Sequence, residues 1–348
     1  MALITVGPFN RVEGDLEVRL EVADGHVVQA WANAPMYRGF EQILEGKDPR
    51  DALVLTPRLC GICSRTFGDD LAAIVALASA ADLAHWADRQ PPTASDFSHF
   101  LHLSTRLGLA GLGRATDRFM SYGGYLLGGR RLLRYGLWDQ GPRHLDIETI
   151  TEDQSHSRMR GADAPLHPSQ GITLPDADAP GGYTWCKAPR LGGQVVEVGA
   201  LARQMVDGHP LIRDLVARDG GNVQARLVAR LLETARVTLA MDDWIRLLVP
   251  GEPFCVQGEL PDAATGAGLV EAARGALGHW LCVRKGRIRN YQIIAPTTWN
   301  FSPRDRAGLP GALEQALVGA PVRPGERTPI AVQHIVRSFD PCMVCTVH

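Results

Sequence analysis

The sequence lacks an excess of charge of either sign and has no long apolar run. Its 36 basic and 38 acidic side chains leave a net charge of -2 over 348 residues. A chain that mainly binds nucleic acid or an anionic membrane would carry a clear positive excess. The longest apolar stretches, such as residues 71–81, fall well short of the roughly 20 residues that a spanning helix needs. We therefore expect no nucleic-acid partner and no direct membrane span.

The sequence also lacks a recognisable N-terminal export signal and the number of cysteines that a disulfide scaffold needs. Residues 1–12 show no basic segment followed by an apolar one, so we expect a cytoplasmic location. Seven cysteines are too few, and odd in number, for a disulfide framework in a chain of this length. They are Cys60, Cys63, Cys186, Cys255, Cys282, Cys342 and Cys345.

The order of predicted elements favours an α+β fold rather than a parallel α/β sheet. Alternating residues around Asp24-Gly25 and Lys285-Gly286 predict two β-hairpins. Helical periodicity is found in residues 40–44, 69–87, 95–127, 196–218, 223–248 and 311–317, and in a last helix before Phe339. Because strands and helices do not alternate regularly, we predict a mostly helical single domain over residues 1–348. Its central helix bundle would be flanked by hairpins, with residues 141–193 as a surface excursion.

Two Cys-x-x-Cys pairs, Cys60/Cys63 and Cys342/Cys345, carry the strongest chemical signal. Thiolates are soft ligands that favour zinc, iron and copper(I), and four of them can close a tetrahedral site. A structural zinc site commonly uses two such pairs, but their usual separation is roughly 15 to 20 residues. Here about 278 residues lie between the pairs. Two independent redox pairs are a further alternative, although neither pair has the context of a βαβ unit.

Several sequence blocks, in order along the chain, resemble the large subunit of nickel-iron hydrogenases. The blocks are Arg11-Val-Glu-Gly14, Arg38-Gly-Phe-Glu41 with residues 46–51, Arg58-Leu-Cys-Gly-Ile-Cys63, residues 271–280, Pro296-Thr-Thr-Trp-Asn300 and residues 338–348. The resemblance is specific because separate blocks match rather than one short pattern. Residues 130–193 are the part without a match.

The resemblance implies a nickel-iron site at which the two ends of the chain meet. Cys60 and Cys342 would be terminal thiolates on nickel, and Cys63 and Cys345 would bridge nickel to iron. The iron would carry carbon monoxide and cyanide. The chain would then be an enzyme that reversibly cleaves dihydrogen into protons and electrons.

Three further side chains gain a role from the same resemblance. Glu13 would relay protons beside a terminal cysteine, since a carboxyl group near metal thiolates has a raised pKa. Arg274 would lie at the metal site and stabilise charge, because a guanidinium is a poor base. Asp340 would hold that arginine by a charge-assisted hydrogen bond.

The resemblance also implies a buried magnesium ion near the C-terminus. Glu41 and the terminal His348 would be its side-chain ligands, and the third protein ligand would be a backbone carbonyl near Ile293 or Ile294. Magnesium prefers oxygen ligands and several waters, so the histidine rests on the resemblance.

The chain departs from the family pattern at three places. Phe67 stands where the family usually has a histidine that hydrogen-bonds a bridging sulfur, so this chain lacks that donor. Asp15 stands where a histidine usually follows the first Glu-Gly. The sequence ends at His348, where many members are made with an extension that is later removed.

Electron transfer requires a partner, because no cysteine cluster remains for iron-sulfur relays. We expect an iron-sulfur small subunit that holds those clusters, passes electrons to an acceptor, and would be the only route to export or membrane association. Two other roles stay open from the sequence. One is a non-catalytic assembly scaffold that carries the iron-cyanide-carbonyl unit, and the other is a hydrogen sensor with low turnover.

Overall fold

The computed structural model describes residues 2–7, 9, 14–37, 39–48, 70–127, 129–160, 163–249, 251 and 258–346. The predicted site residues Glu13, Cys60, Cys63 and His348 lie outside these ranges, as do Phe67 and Cys255.

Helices and strands are interspersed along the described chain in a mixed α and β architecture. The helices are α1 Phe40–Leu44, α2 Leu71–Val75, α3 Ala80–Asp88, α4 Asp96–Leu107, α5 Ala200–Asp207, α6 Pro210–Asp219, α7 Val223–Arg246, α8 Pro296–Asn300, α9 Ala312–Leu317, α10 Ile330–Ser338 and α11 Met343–Thr346. The strands are β1 Ala2–Val6, β2 Glu17–Ala23, β3 His26–Asn33, β4 Arg118–Leu127, β5 Arg130–Asp139, β6 Pro142–Arg143, β7 Ile150–Asp153, β8 Met159–Arg160, β9 Leu174–Pro175, β10 Ala188–Leu191, β11 Ala263–Ala272, β12 Gly275–Arg284 and β13 Arg287–Ile294.

The first sheet is antiparallel in the order β1-β2-β3, and it confirms the predicted N-terminal hairpin. Asp24 and Gly25 both adopt positive φ angles, of 50° and 74°. A two-residue turn of that kind matches the twist of the paired strands. The inward side chains of β2, such as Val18 and Leu20, are fully buried. They pack in one apolar core with residues of α9 and α10.

The second core is built by helices α2 to α7. The prediction of one continuous helix over 69–87 is wrong, because this segment forms two helices, α2 and α3. Ser79 accepts a hydrogen bond from the Asp82 N–H and so begins α3 as a separate helix. The prediction over 196–218 likewise breaks into α5 and α6. Gly208 ends α5 in the left-handed region, and Pro210 stands at the first turn of α6.

Residues 95–127 do not form helix throughout, which corrects the sequence prediction. Gly108 caps α4 with a left-handed backbone, and residues from Arg118 onward form β4. Strand β4 pairs antiparallel with β5 along its length. Tertiary strand pairing therefore overrides the helical periodicity of this segment. The stretch 141–193, expected as a surface excursion, contains the short strands β6 to β10, and all four residues of β10 are buried.

The sheet β11-β12-β13 contains the second predicted hairpin, formed by β12 and β13, and confirms it. Lys285 and Gly286 form its turn with φ angles of 53° and 66°. Strand β13 leads through Ala295 into α8, all of whose residues are buried. Helices α9, α10 and α11 follow. Helix α11 contacts α8, and Cys345 packs against an apolar cluster that contains Ile293 of β13. Among the described residues, no helix is long and apolar enough to cross a membrane.

Candidate metal centre

The second cysteine pair lies on the short helix α11 and the residue before it. Cys342 is fully buried, and its Sγ lies 2.8 Å from the Sγ of Cys345. The two side chains are three residues apart, so one helical turn places them on the same face. The backbone N–H of Cys342 donates to the Oγ1 of Thr297 on α8, at 3.1 Å. The cysteine turn is thus held by a helix that belongs to a different sequence block.

The N-terminal segment approaches this turn at Gly14, which directly follows Glu13. Gly14 has φ +84°, and a Cβ atom there would lie 2.9 Å from the backbone nitrogen and the Cγ1 of Val344. Only glycine permits so close a backbone approach at this φ without strain. The residue that follows Glu13 in the chain is therefore packed against helix α11, between Cys342 and Cys345.

The structure brings Arg274 and Asp340 together. The Nε of Arg274 donates to the backbone oxygen of Asp340 at 2.9 Å and lies 3.5 Å from its Oδ2. Arg274 stands in the turn between β11 and β12. The next residue, Gly275, has φ +132°, and a Cβ there would lie 2.6 Å from the nitrogen of Gly199. This close approach sets the turn, and with it Arg274, against residues 198–199.

A small, partly open cleft lies beside this contact, with a cavity volume of about 10 Å³, which is enough for one water molecule. Its lining includes three arginines, Arg226, Arg230 and Arg274, together with Glu197, Ser338 and Phe339. Glu197 is paired with Arg226 at 2.8 Å, and Asp340 is the carboxylate next to the other two arginines. Among the described residues, three guanidinium groups and two carboxylates thus lie around this cleft.

Glu41 lies in a second, fully enclosed cluster of polar side chains. Its Oε1 accepts the N–H of Ile293 at 2.8 Å and lies 3.3 Å from the Nζ of Lys187. The Thr173 hydroxyl donates to its Oε2. Glu41 is 1% exposed, so its carboxylate is shielded from water. These hydrogen bonds and the ion pair compensate for the lost hydration.

Lys187 connects Glu41 to two further oxygen groups. Its Nζ lies 3.0 Å from Glu152 Oε2 and 3.0 Å from Gln292 Oε1. Burial disfavours the ammonium form, but the carboxylates of Glu152 and Glu41 outweigh burial and raise the pKa of Lys187 above its ordinary value. Among the described residues, two carboxylates, an amide oxygen and a hydroxyl surround this ammonium. The oxygen-rich donor set of the cluster fits a hard cation such as magnesium.

Sequence reasoning found Glu41 but missed Lys187, Glu152, Thr173 and Gln292. Three of these four lie in the stretch 141–193, which has no sustained periodicity and was expected at the surface. The available signal was weak: Lys187 is one of three lysines in a chain rich in arginine.

Among the described residues, no three histidine, cysteine, aspartate or glutamate side chains gather as a complete metal site. Cys60 and Cys63, predicted as the other two thiolates, lie outside the described residues, as do Glu13 and His348. The structure therefore describes five of the nine predicted site residues, Glu41, Arg274, Asp340, Cys342 and Cys345.

Comparison with known proteins gives one consistent family. A family model described as nickel-dependent hydrogenase matches residues 38–90 and 115–348. The periplasmic [NiFeSe] hydrogenase large subunit of Desulfomicrobium baculatum is 29% identical, over 99% of this chain and 94% of that protein. The uptake hydrogenase large subunit of Azotobacter chroococcum is 35% identical over 61% of this chain and 44% of that protein.

Solved structures give the same answer for the fold. The reduced, active Ni-Fe-Se hydrogenase from Desulfomicrobium baculatum matches with a TM-score of 0.83 and 26% identity, covering 100% of both chains. The as-isolated oxidised enzyme from Desulfovibrio vulgaris Hildenborough matches with a TM-score of 0.83 and 25% identity, again over 100% of both chains.

These comparisons also correct the expected location. The relative that aligns with 99% of this chain is named a periplasmic large subunit. The sequence prediction of a cytoplasmic location is therefore wrong. It rested on the absence of a signal in residues 1–12, and a chain can be directed by features that lie elsewhere.

Proposed function

The chain belongs to the nickel-dependent hydrogenases, and from this premise we propose how its residues serve a hydrogenase large subunit. Cys342 and Cys345 supply two of four thiolates, and Cys60 and Cys63 supply the others. The convergence of the Cys342 and Cys345 sulfurs, 2.8 Å apart on one turn, is the observation that carries this assignment. Soft thiolates match the preference of nickel and iron.

The bound group would be a nickel-iron centre, with carbon monoxide and cyanide on the iron, which supplies the polarisation of dihydrogen and accepts its electrons. The protein supplies the surroundings of that reaction. Arg274 stays charged throughout, because a guanidinium group does not lose its proton in proteins. Its role is then to stabilise the separation of charge as dihydrogen is split. Asp340 orients the Arg274 guanidinium by accepting its hydrogen bond.

Glu13 takes the proton from the site and passes it outward. The approach of Gly14 to Val344 supports this role, since Glu13 is the neighbour of Gly14 in the chain. A carboxyl group close to several thiolates gains a proton more readily than in water, which suits a relay near neutral pH. The N-terminal and C-terminal segments of the chain then meet at the metal centre, and the helix bundle lies beside them.

Glu41 and His348 hold a magnesium ion near the C-terminus. The buried, oxygen-rich cluster around Lys187 supports the presence of a hard cation there. Because Glu41 also accepts the Ile293 N–H, the β13 backbone lies next to the proposed ligand. The ion would stabilise the packing of the C-terminal segment against α1 and β13.

The partner is an iron-sulfur small subunit, which receives the electrons and passes them to an acceptor. The other three cysteines of this chain support that requirement. Cys186 is fully buried, and Cys186, Cys255 and Cys282 are far apart in sequence, so they do not form the cysteine motif of an iron-sulfur cluster.

Infrared spectroscopy of the purified protein, before and after exposure to hydrogen, tests the proposal. Metal-bound carbon monoxide and cyanide absorb in a window that is free of protein bands. Bands that shift under hydrogen are expected from a working nickel-iron site. Bands that stay fixed would instead indicate an assembly scaffold, and a protein without bands that contains zinc would contradict the nickel-iron assignment.

A further inference from the structure

Helix α7 presents two arginines, one turn apart, to the turn that precedes Cys342. The turn consists of Ser338, Phe339 and Asp340 and connects α10 to Pro341. Arg226 and Arg230 are four residues apart, so they lie on the same face of α7. Both line the cleft that also contains Arg274.

Arg226 anchors the first half of this turn. It forms a two-point ion pair with Glu197, with distances of 2.8 and 2.9 Å, and donates to the Ser338 Oγ at 3.3 Å. Its guanidinium carbon lies 3.7 Å from the centre of the Phe339 ring. Arg226 and Glu197 are both nearly inaccessible to solvent. These contacts are those of a structural anchor, because the charge of Arg226 is fully matched by Glu197.

Arg230 contacts both the Ser338 backbone and Asp340, the predicted site residue at the end of the turn. Its Nη2 donates to the backbone oxygen of Ser338 at 2.9 Å, and its Nε lies 3.9 Å from the Oδ2 of Asp340. The same Oδ2 lies 3.5 Å from the Nε of Arg274. One carboxylate oxygen thus lies between two guanidinium groups that come from different elements.

Asp340 needs such support because its backbone is in the left-handed region. Its φ angle is +53°, a left-handed backbone conformation that residues other than glycine adopt only with strain. Its carboxylate is 40% exposed, so packing alone does not fix the rotamer. A second cation on Oδ2, together with the Arg230 bond to the preceding backbone, restricts both the turn and the carboxylate.

We propose that Arg230 is a positioning residue for the dihydrogen reaction, which holds Asp340 so that Asp340 can orient Arg274. The proposal rests on the proposed function, since it concerns the arginine at the nickel-iron site. Arg230 acts through Asp340 and takes no part in proton transfer. Its own side chain is 32% exposed at the cleft, in contrast to the enclosed Arg226.

Two variants of the holoenzyme, with its partner subunit, test the proposal. In Arg230→Gln both contacts to the turn are lost, and we expect kcat for hydrogen oxidation to fall about tenfold while KM for hydrogen stays within twofold. In Arg230→Lys the charge remains, but an ammonium cannot reach the Ser338 oxygen and Asp340 together. We therefore expect a smaller fall, of about two- to threefold.

Arg236→Gln is the matched control. Arg236 lies on the same helix and pairs with Asp207 at 2.8 Å, with a similar partly enclosed side chain, but contacts neither the turn nor the cleft. We expect it to leave kcat within twofold. An equal loss in Arg236→Gln and Arg230→Gln would show a general effect on α7 and would overturn the proposal.

A double-mutant cycle and infrared spectroscopy distinguish a role of Arg230 in positioning Asp340 from a general effect on protein stability. In an Asp340→Asn background, Arg230→Gln should change kcat by less than twofold, because its effect passes through Asp340. The infrared bands of the resting site should shift in Arg230→Gln at unchanged nickel content. Independent, multiplicative losses in the cycle, or unshifted bands with normal kcat, would refute the role of Arg230. A wild-type protein that lacks nickel would refute the proposed function instead.

Discussion

The N–H of Cys342 donates to the hydroxyl oxygen of Thr297, at 3.1 Å, across 45 residues of sequence. Thr297 is itself 3% exposed and lies on α8, the helix that follows strand β13. This hydrogen bond joins the Pro296–Asn300 block to the cysteine pair. A buried N–H without a partner would be costly, so the bond helps to fix the backbone from which the Cys342 thiol projects.

Replacement of Cys342 by serine should abolish nickel retention and hydrogenase activity. Serine has nearly the same shape, but its hydroxyl is a hard and weakly acidic ligand in place of a soft thiolate. The measurement is nickel per chain by elemental analysis, together with hydrogen oxidation. A Cys342→Ser protein with full nickel and normal turnover would contradict the ligand assignment.

Cys186→Ser is a suitable control for that substitution. Cys186 is also fully buried, but burial raises the pKa of its thiol well above the ordinary value, so it remains protonated. Its Sγ lies 3.2 Å from the backbone oxygen of Lys187. We expect Cys186→Ser to keep its nickel, since a protonated thiol is not a metal ligand.

Replacement of Glu13 by glutamine should slow proton transfer and leave the metals bound. An amide cannot accept and release a proton near neutral pH, so hydrogen-deuterium exchange should fall by at least tenfold. The measurement is exchange between hydrogen gas and deuterated water at constant nickel content. Glu17→Gln serves as a control, because Glu17 is an exposed residue of β2 whose carboxylate accepts a bond from Asn33. Unchanged exchange in Glu13→Gln would remove Glu13 from the proton path.

Replacement of Glu41 by glutamine should lower both magnesium content and stability. The change removes one of the two carboxylates that compensate Lys187, and breaking a buried ion pair costs roughly 3 kcal/mol. Denaturant unfolding and elemental analysis measure the two effects. Glu45→Gln, at the exposed end of the same helix, should change neither. Full magnesium in Glu41→Gln would exclude Glu41 as a ligand.

Glu314 on α9 should make the stability of the protein depend on pH. Burial raises the pKa of Glu314 to about 7, although Tyr183 and the Ala32 N–H donate to its Oε1. The folded protein therefore binds this proton more tightly than the unfolded chain does. The stabilisation is complete below pH 4.5 and is lost as pH rises through 7, with a total of roughly 3 kcal/mol.

Glu314→Gln should remove this part of the pH dependence, since an amide does not titrate. Denaturant unfolding between pH 4.5 and 8 measures the slope in each variant. Glu326→Gln is the control, because backbone N–H groups of Ile330 and Arg323 lower the pKa of Glu326 and place its titration below this range. Equal slopes in wild type and Glu314→Gln would show that Glu314 does not titrate in the window.

Local sequence determined those parts of the protein that depend on short-range geometry. The Asp24-Gly25 and Lys285-Gly286 turns required positive φ angles, and each formed the predicted hairpin. The spacing of Cys342 and Cys345 placed two sulfurs on one helical turn. The ordered blocks identified the family, since so many separate matches do not arise from composition.

Tertiary structure decided what depends on distant partners. Periodicity predicted helix where β4 forms, because the gain from pairing with β5 is not visible in a local window. The enclosure of Lys187 by Glu41 and Glu152, and the placement of Asp340 between Arg230 and Arg274, join residues from separate elements. The energy of such charge contacts depends on burial and on distances of a few ångströms. Sequence order alone does not contain those distances, so only the folded chain could show them.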